Sequence, residues 1–103
     1  MIDYKVFKNE NVPEIYSHLY RILEESLNQK SFPYEKHEIC FRCQEDVIVI
    51  KFEDLDIIYI GSEFIKINFS DNVWICPYNN ITDIWIEPSY VDDGQTTFDD
   101  YEY

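Results

Sequence analysis

The chain has 103 residues, with 8 Lys or Arg against 21 Asp or Glu, a formal charge of −13. That length suits one domain around one core, and an apolar content of 46% excludes a chain that is disordered throughout. No apolar run approaches the roughly 18 residues of a membrane span, no signal-peptide core opens the sequence, and a surface this negative repels phosphate, so direct nucleic-acid binding is not expected.

Composition adds two expectations. Alanine is absent, glycine occurs twice and isoleucine fifteen times. Codons for the first two are GC-rich and for the third AT-rich, which points to an AT-rich genome such as that of a low-GC bacterium, its phage or its plasmids. The three cysteines cannot all pair internally, which fits a reducing, cytoplasmic setting.

Along the chain, Ile2 to Lys8 reads as a short strand or a lead-in to a helix. Asn11, Pro13 and Glu14 resemble a helix start, with Asn11 as cap, Pro13 in the first turn and Glu14 completing a capping box. Ile15, Leu19, Ile22, Leu23 and Leu27 then recur at helical spacing, which predicts one amphipathic helix over about Val12 to Lys30, ended by Ser31-Phe32-Pro33.

From Glu38 the period changes to two. Strands are expected at Ile39–Gln44, Val47–Glu53, Ile57–Ile60, Phe64–Ser70, Val73–Cys76 and Ile81–Glu87, with turns at Asp54-Leu55-Asp56, Gly61-Ser62-Glu63, Asp71-Asn72 and Pro77–Asn80. Pro88 stops the last strand. Short connections favour an antiparallel meander. The expected fold is α+β: one N-terminal amphipathic helix packed on a five- to six-stranded antiparallel meander sheet. Residues 1–89 form this single domain, and residues 90–103 form an acidic tail that also carries Tyr90, Phe98, Tyr101 and Tyr103.

Alternation also assigns faces. Ile48/Ile50/Phe52, Ile65/Ile67/Phe69, Val73/Ile75 and Ile84/Ile86 are expected to face the helix, leaving Tyr59, Phe64, Trp74 and Trp85 on the opposite face beside Lys51, Lys66, Asp83 and Glu87. One helix covers one face, so these aromatics either lie under the tail or form an interface.

Charge is unevenly placed. Residues 1–44 hold 6 basic and 7 acidic side chains, whereas residues 45–103 hold 2 and 14. Acids that fill turns serve solubility, but an excess of −12 confined to the sheet and tail reads better as an electrostatic footprint for a basic partner. The expected partner-binding residues are Asp54, Asp56, Tyr59, Trp74, Asp83, Trp85, Glu87, Asp92, Asp93, Asp99, Asp100, Tyr101 and Glu102.

Catalytic patterns are poor. His37, Cys40, Cys43 and Cys76 have the residue types of a zinc site, but Cys40 and Cys43 are three apart on a strand and point to opposite faces. For the same reason their Cα atoms lie ~10 Å apart, beyond the ~7 Å limit for a disulfide. His18 and His37 are the only histidines, and no glycine-rich loop cradles phosphate. No cofactor, metal or catalytic residue is therefore expected. The expected function is that of a small inhibitor occupying the nucleic-acid-binding surface of a basic enzyme, a nuclease or a CRISPR effector. Such a protein would be a phage anti-defence protein, for example an anti-CRISPR, or the immunity protein of a nuclease toxin. The alternative of a different class is a small zinc-binding structural or accessory domain.

Overall fold

A computed structural model describes residues 2–89, so the predicted tail at 90–103 lies outside the described residues. The elements are β1 (Lys5–Lys8), α1 (Glu14–Leu27), β2 (His37–Cys43), β3 (Asp46–Lys51), β4 (Leu55–Ile60), β5 (Phe64–Phe69), β6 (Asn72–Pro77) and β7 (Ile81–Pro88). The fold is α+β with one helix and largely antiparallel strands. The single meander sheet is corrected: among the described residues seven strands form two sheets, one ordered β1-β4-β5-β6 and one ordered β3-β2-β7. β1 joins its sheet parallel to β4, with Val6 opposite Ile58 and Phe7 opposite Tyr59.

Two single 3₁₀ turns cause the division. Phe52–Asp54 carries the chain from β3 to β4, and Tyr78–Asn80 carries it from β6 to β7, each time from one sheet to the other. The first turn drives Phe52 into the core, where it is 1% exposed. Leu55 and Asp56 therefore open β4 rather than forming the expected turn. The second turn follows Pro77, which has no N–H to extend β6. Its Tyr78 hydroxyl donates to the Gly61 carbonyl at 2.7 Å, tying the crossing to the β4–β5 connection.

The helix is shorter than predicted, and its start is made differently. Pro13 occupies the N-cap position and no side chain caps the helix. The Asn11 N–H instead donates to Asn9 Oδ1 at 2.9 Å, so asparagine chemistry is used in the turn before the helix rather than at its cap. The buried stripe is Tyr16, Leu19, Leu23 and Ser26, while Ile15 is 61% exposed. Tyr16 displaces Ile15 from the stripe because its ring stacks on Tyr78, centroids 3.8 Å apart.

Both sheets and the helix share one core. The four-stranded sheet supplies Ile58, Ile60, Ile65 and Ile67, and the three-stranded sheet supplies Ile39, Phe41 and Ile50. Each fully buried aliphatic side chain contributes about 2 kcal/mol. Trp74 and Cys76 join this core, and Val73 and Ile75 do not, which reverses the predicted phase of β6. The β5–β6 hairpin turns on Ser70 and Asp71, both at positive φ (46° and 66°), and pairs Phe69 with Asn72. That turn lies one residue earlier than Asp71-Asn72. The pairing sets Ile67 opposite Trp74 and Ile65 opposite Cys76, so the inward side of β5 carries over to the even positions of β6 although Val73 and Ile75 are the aliphatic ones.

Candidate interaction surface

The outer face of the four-stranded sheet is assembled by register. Phe7, Tyr59, Lys66 and Ile75 stand side by side in one row across β1, β4, β5 and β6. Lys5, Ile57, Asn68 and Val73 make the next row, and Phe64 and Pro77 flank the first on its other side. The helix packs on the inner side, through Leu19 and Leu23 in the common core, so it leaves this face uncovered. Phe7 is 50% exposed, and Val73 and Ile75 are each 57% exposed. Five of the eight large hydrophobic side chains found exposed among the described residues (Phe7, Ile57, Phe64, Val73 and Ile75) lie on this one face.

Local packing shapes the centre of the face into a shallow groove lined by Phe7, Ile57, Tyr59, Phe64, Lys66 and Asn68. Tyr59 and Phe64 meet at 5.9 Å between ring centroids. Gly61 permits this approach: a Cβ there would lie 3.0 Å from the Phe64 carbonyl oxygen and 3.2 Å from the Tyr59 ring. Lys5 and Lys66 hold positions in the same rows, and a lysine can cover apolar neighbours with its aliphatic stem while its charge stays in water.

One end of the face is acidic. The Ser70 N–H donates to the Asp54 carbonyl at 3.2 Å, which sets the hairpin tip with Asp71 beside the start of β4. Glu53, Asp54, Asp56 and Asp71, all exposed, gather there. Glu63 marks the opposite end, in the β4–β5 turn. An apolar centre with a charged margin is the anatomy of a protein interface.

The residues predicted from sequence to share one face fall on three locations. Asp54, Asp56 and Tyr59 belong to the face just described. Trp74 is not exposed on it: its ring lies against Phe41, centroids 4.9 Å apart, in the space between the two sheets. Asp83, Trp85 and Glu87 are on β7 and project from the outer face of the other sheet, opposite Arg42, Cys40 and Glu38 of β2. Asp92, Asp93, Asp99, Asp100, Tyr101 and Glu102 lie outside the described residues. Sequence reasoning missed Phe7, Ile57, Val73 and Ile75 as surface residues. Carrying the inward side of Ile65, Ile67 and Phe69 across the two-residue turn would have found the last two.

The outer face of the three-stranded sheet has its own chemistry. The Arg42 guanidinium sits 5.3 Å from the Trp85 ring centroid, a cation–π contact. Trp85 Nε1–H donates to Glu87 Oε1 at 3.0 Å, and the Cys40 thiol donates to Glu87 Oε2 at 3.6 Å. Glu38 is buried beside them, and its carboxyl is held above the ordinary carboxylate range, first by burial and then by a hydrogen bond with Glu87. Burial, followed by Glu87, pushes the Cys40 thiol up to about 12. Ligand atoms of Glu38, Cys40 and Glu87 lie within 4.8 Å of one another, the one such grouping among the described residues. These three could hold a cation, but both Glu87 oxygens already accept hydrogen bonds and the thiol keeps its proton at neutral pH.

The predicted zinc quartet is divided between surfaces. Cys40 faces outward with Glu87, whereas the Cys76 thiol reaches Cys43 Sγ at 3.8 Å on the inner side. His37 packs edge-on against Tyr34, ring centroids 5.5 Å apart. No helix among the described residues is long and apolar enough to cross a membrane. Comparison with protein families, characterised proteins and solved structures finds no match for this chain.

Proposed function

We propose that this chain is a binding protein rather than an enzyme, an acidic inhibitor that occupies the nucleic-acid-binding surface of a basic protein. The carrying observation is the concentration of exposed apolar side chains on the outer face of the four-stranded sheet, with Asp54, Asp56 and Asp71 at one end. Apolar patches of this kind on a small domain mark places where another molecule binds. The excess of 14 acidic over 2 basic side chains in residues 45–103 gives that molecule its sign. Basic protein surfaces are in large part those that hold DNA or RNA, and carboxylates spaced over a sheet and tail compete for the same lysines and arginines as phosphates do.

In this reading the charges govern encounter and the apolar rows govern residence. Steered association reaches about 10⁸–10⁹ M⁻¹s⁻¹ at low salt, which suits an inhibitor that must reach its target before nucleic acid does. Inhibition of a defence nuclease such as a CRISPR effector by a phage protein, and neutralisation of a nuclease toxin by its immunity protein, both use this physics.

The test is affinity capture at low salt with the wild-type chain and with Ile75→Asp. The wild type is expected to retain a basic nucleic-acid-handling protein that high salt elutes, and Ile75→Asp is expected to retain far less of it. Retention of an acidic partner, or equal retention by both chains, contradicts the proposal.

A further inference from the structure

We infer that Cys43 and Cys76 form a disulfide-competent dithiol, a modification site at which a small disulfide oxidant such as oxidised glutathione bonds the two sheets together. Their sulfur atoms are 3.8 Å apart, against about 2.05 Å in a disulfide. Closing that gap needs a small movement, and Cys43 is placed to make it. It is the last residue of β2, the β2–β7 register shifts between Arg42 and Cys43, and the next residue, Gln44, turns at φ 58°. Cys76 precedes Pro77, and its thiol also lies 3.5 Å from the Pro77 carbonyl oxygen.

The two sulfurs are not equivalent. Cys76 is 6% exposed, whereas Cys43 is half-buried and can be reached by a small molecule. The Cys43 thiolate attacks one sulfur of the oxidant, breaking its S–S bond and releasing one thiolate, which takes up a proton. The Cys76 thiolate then attacks Cys43 Sγ in the mixed disulfide and expels the second thiolate. Two protein thiols and one oxidant disulfide thus become one protein disulfide and two small thiols. Cys40 has no part in this, because its side chain leaves the opposite face of β2. Burial, followed by the neighbouring Cys76, pushes the Cys43 thiol up to about 11, so the first step should quicken as pH rises through the mildly alkaline range.

The bond would join β2 of the three-stranded sheet to β6 of the four-stranded sheet. It would close a loop between residues 33 apart in sequence, and thereby restrict the unfolded chain. The same β6 presents Ile75 on its outer side, so the covalent tie lies directly behind the apolar rows.

The experiment treats the folded full chain with oxidised glutathione, followed by intact mass, peptide mapping and thermal unfolding. The expected product has lost two hydrogens, maps to a Cys43–Cys76 link and melts at least ~5 °C higher, and a reductant reverses all three changes. Cys40→Ser should behave like the wild type, and Cys76→Ser should stop at a glutathione adduct on Cys43. A stable adduct on the wild-type chain, a link that includes Cys40, or no loss of mass in the folded protein would overturn the assignment.

Discussion

Trp74 of β6 packs against Phe41 of β2 with ring centroids 4.9 Å apart, so one strand from each sheet meets the other through an aromatic pair. That contact sets the phase of β6: Trp74 and Cys76 turn inward, and Val73 and Ile75 turn to solvent. Trp74→Ala should cost about 3 kcal/mol, the low end for removing a large aromatic from a core. Ile75→Thr should stay within about 0.5 kcal/mol of the wild type. Chemical denaturation of both variants checks the phase, and the reverse order of effects would contradict it.

A sharper contrast uses charge. Ile67 is fully buried, and Ile75 is 57% exposed on the neighbouring strand. Ile67→Asp buries an unpaired carboxylate, a cost of several kcal/mol that matches the whole stability of a small domain. It should therefore yield an unfolded chain by circular dichroism, and so should Ile50→Asp. Ile75→Asp, placed beside Lys66 in the outer row, should remain folded.

Much of this fold is legible in the sequence because periodicity is local. The helix, the strands from β2 to β7 and the inward set Ile50, Ile65, Ile67, Ile84 and Ile86 all follow from spacing alone. The division into two sheets is not legible, because Phe52–Asp54 reads as the end of a strand rather than as a 3₁₀ turn. The outer-face residues of β6 were missed because Val73 and Ile75 are aliphatic, whereas pairing with Ile65 and Ile67 turns Trp74 and Cys76 inward. Glu38 meeting Glu87, and Cys43 meeting Cys76, depend on strands 49 and 33 residues apart in sequence, and no local pattern encodes such pairings.

The Glu38 carboxyl provides a pH test. Its folded-state value is raised above the ordinary 4.5 by burial and then by Glu87, so the folded protein favours the protonated acid more than the unfolded chain does. The stability this confers is complete below pH 4.5 and is lost as pH rises through the raised folded value. Glu38→Gln keeps the site neutral and should raise the melting temperature by a few degrees at pH 7, with the advantage gone at acid pH. Glu35→Gln removes the same charge from an exposed position and should show little of this gain. A destabilised Glu38→Gln at pH 7 would contradict the burial argument.

The two roles assigned to the interaction surface separate kinetically. Replacing Asp54, Asp56 and Asp71 by Asn, or Asp92, Asp93, Asp99 and Asp100 by Asn, should slow association with the captured partner and flatten its salt dependence, with little change in melting. Phe7→Ala or Phe64→Ala should instead speed dissociation, by roughly tenfold for a loss of about 1.4 kcal/mol. Trp85→Ala, on the other sheet, should leave the residence time unchanged. Surface plasmon resonance at several salt concentrations distinguishes these outcomes.

The most direct measurement is competition. A fixed concentration of the captured basic partner, bound to this protein, is titrated with the nucleic acid that the partner handles. Displacement of the protein in proportion to nucleic-acid occupancy is the expected result, because both would use one basic surface. A ternary complex, in which nucleic acid and protein bind the partner together with unchanged affinities, would contradict the proposal of nucleic-acid mimicry.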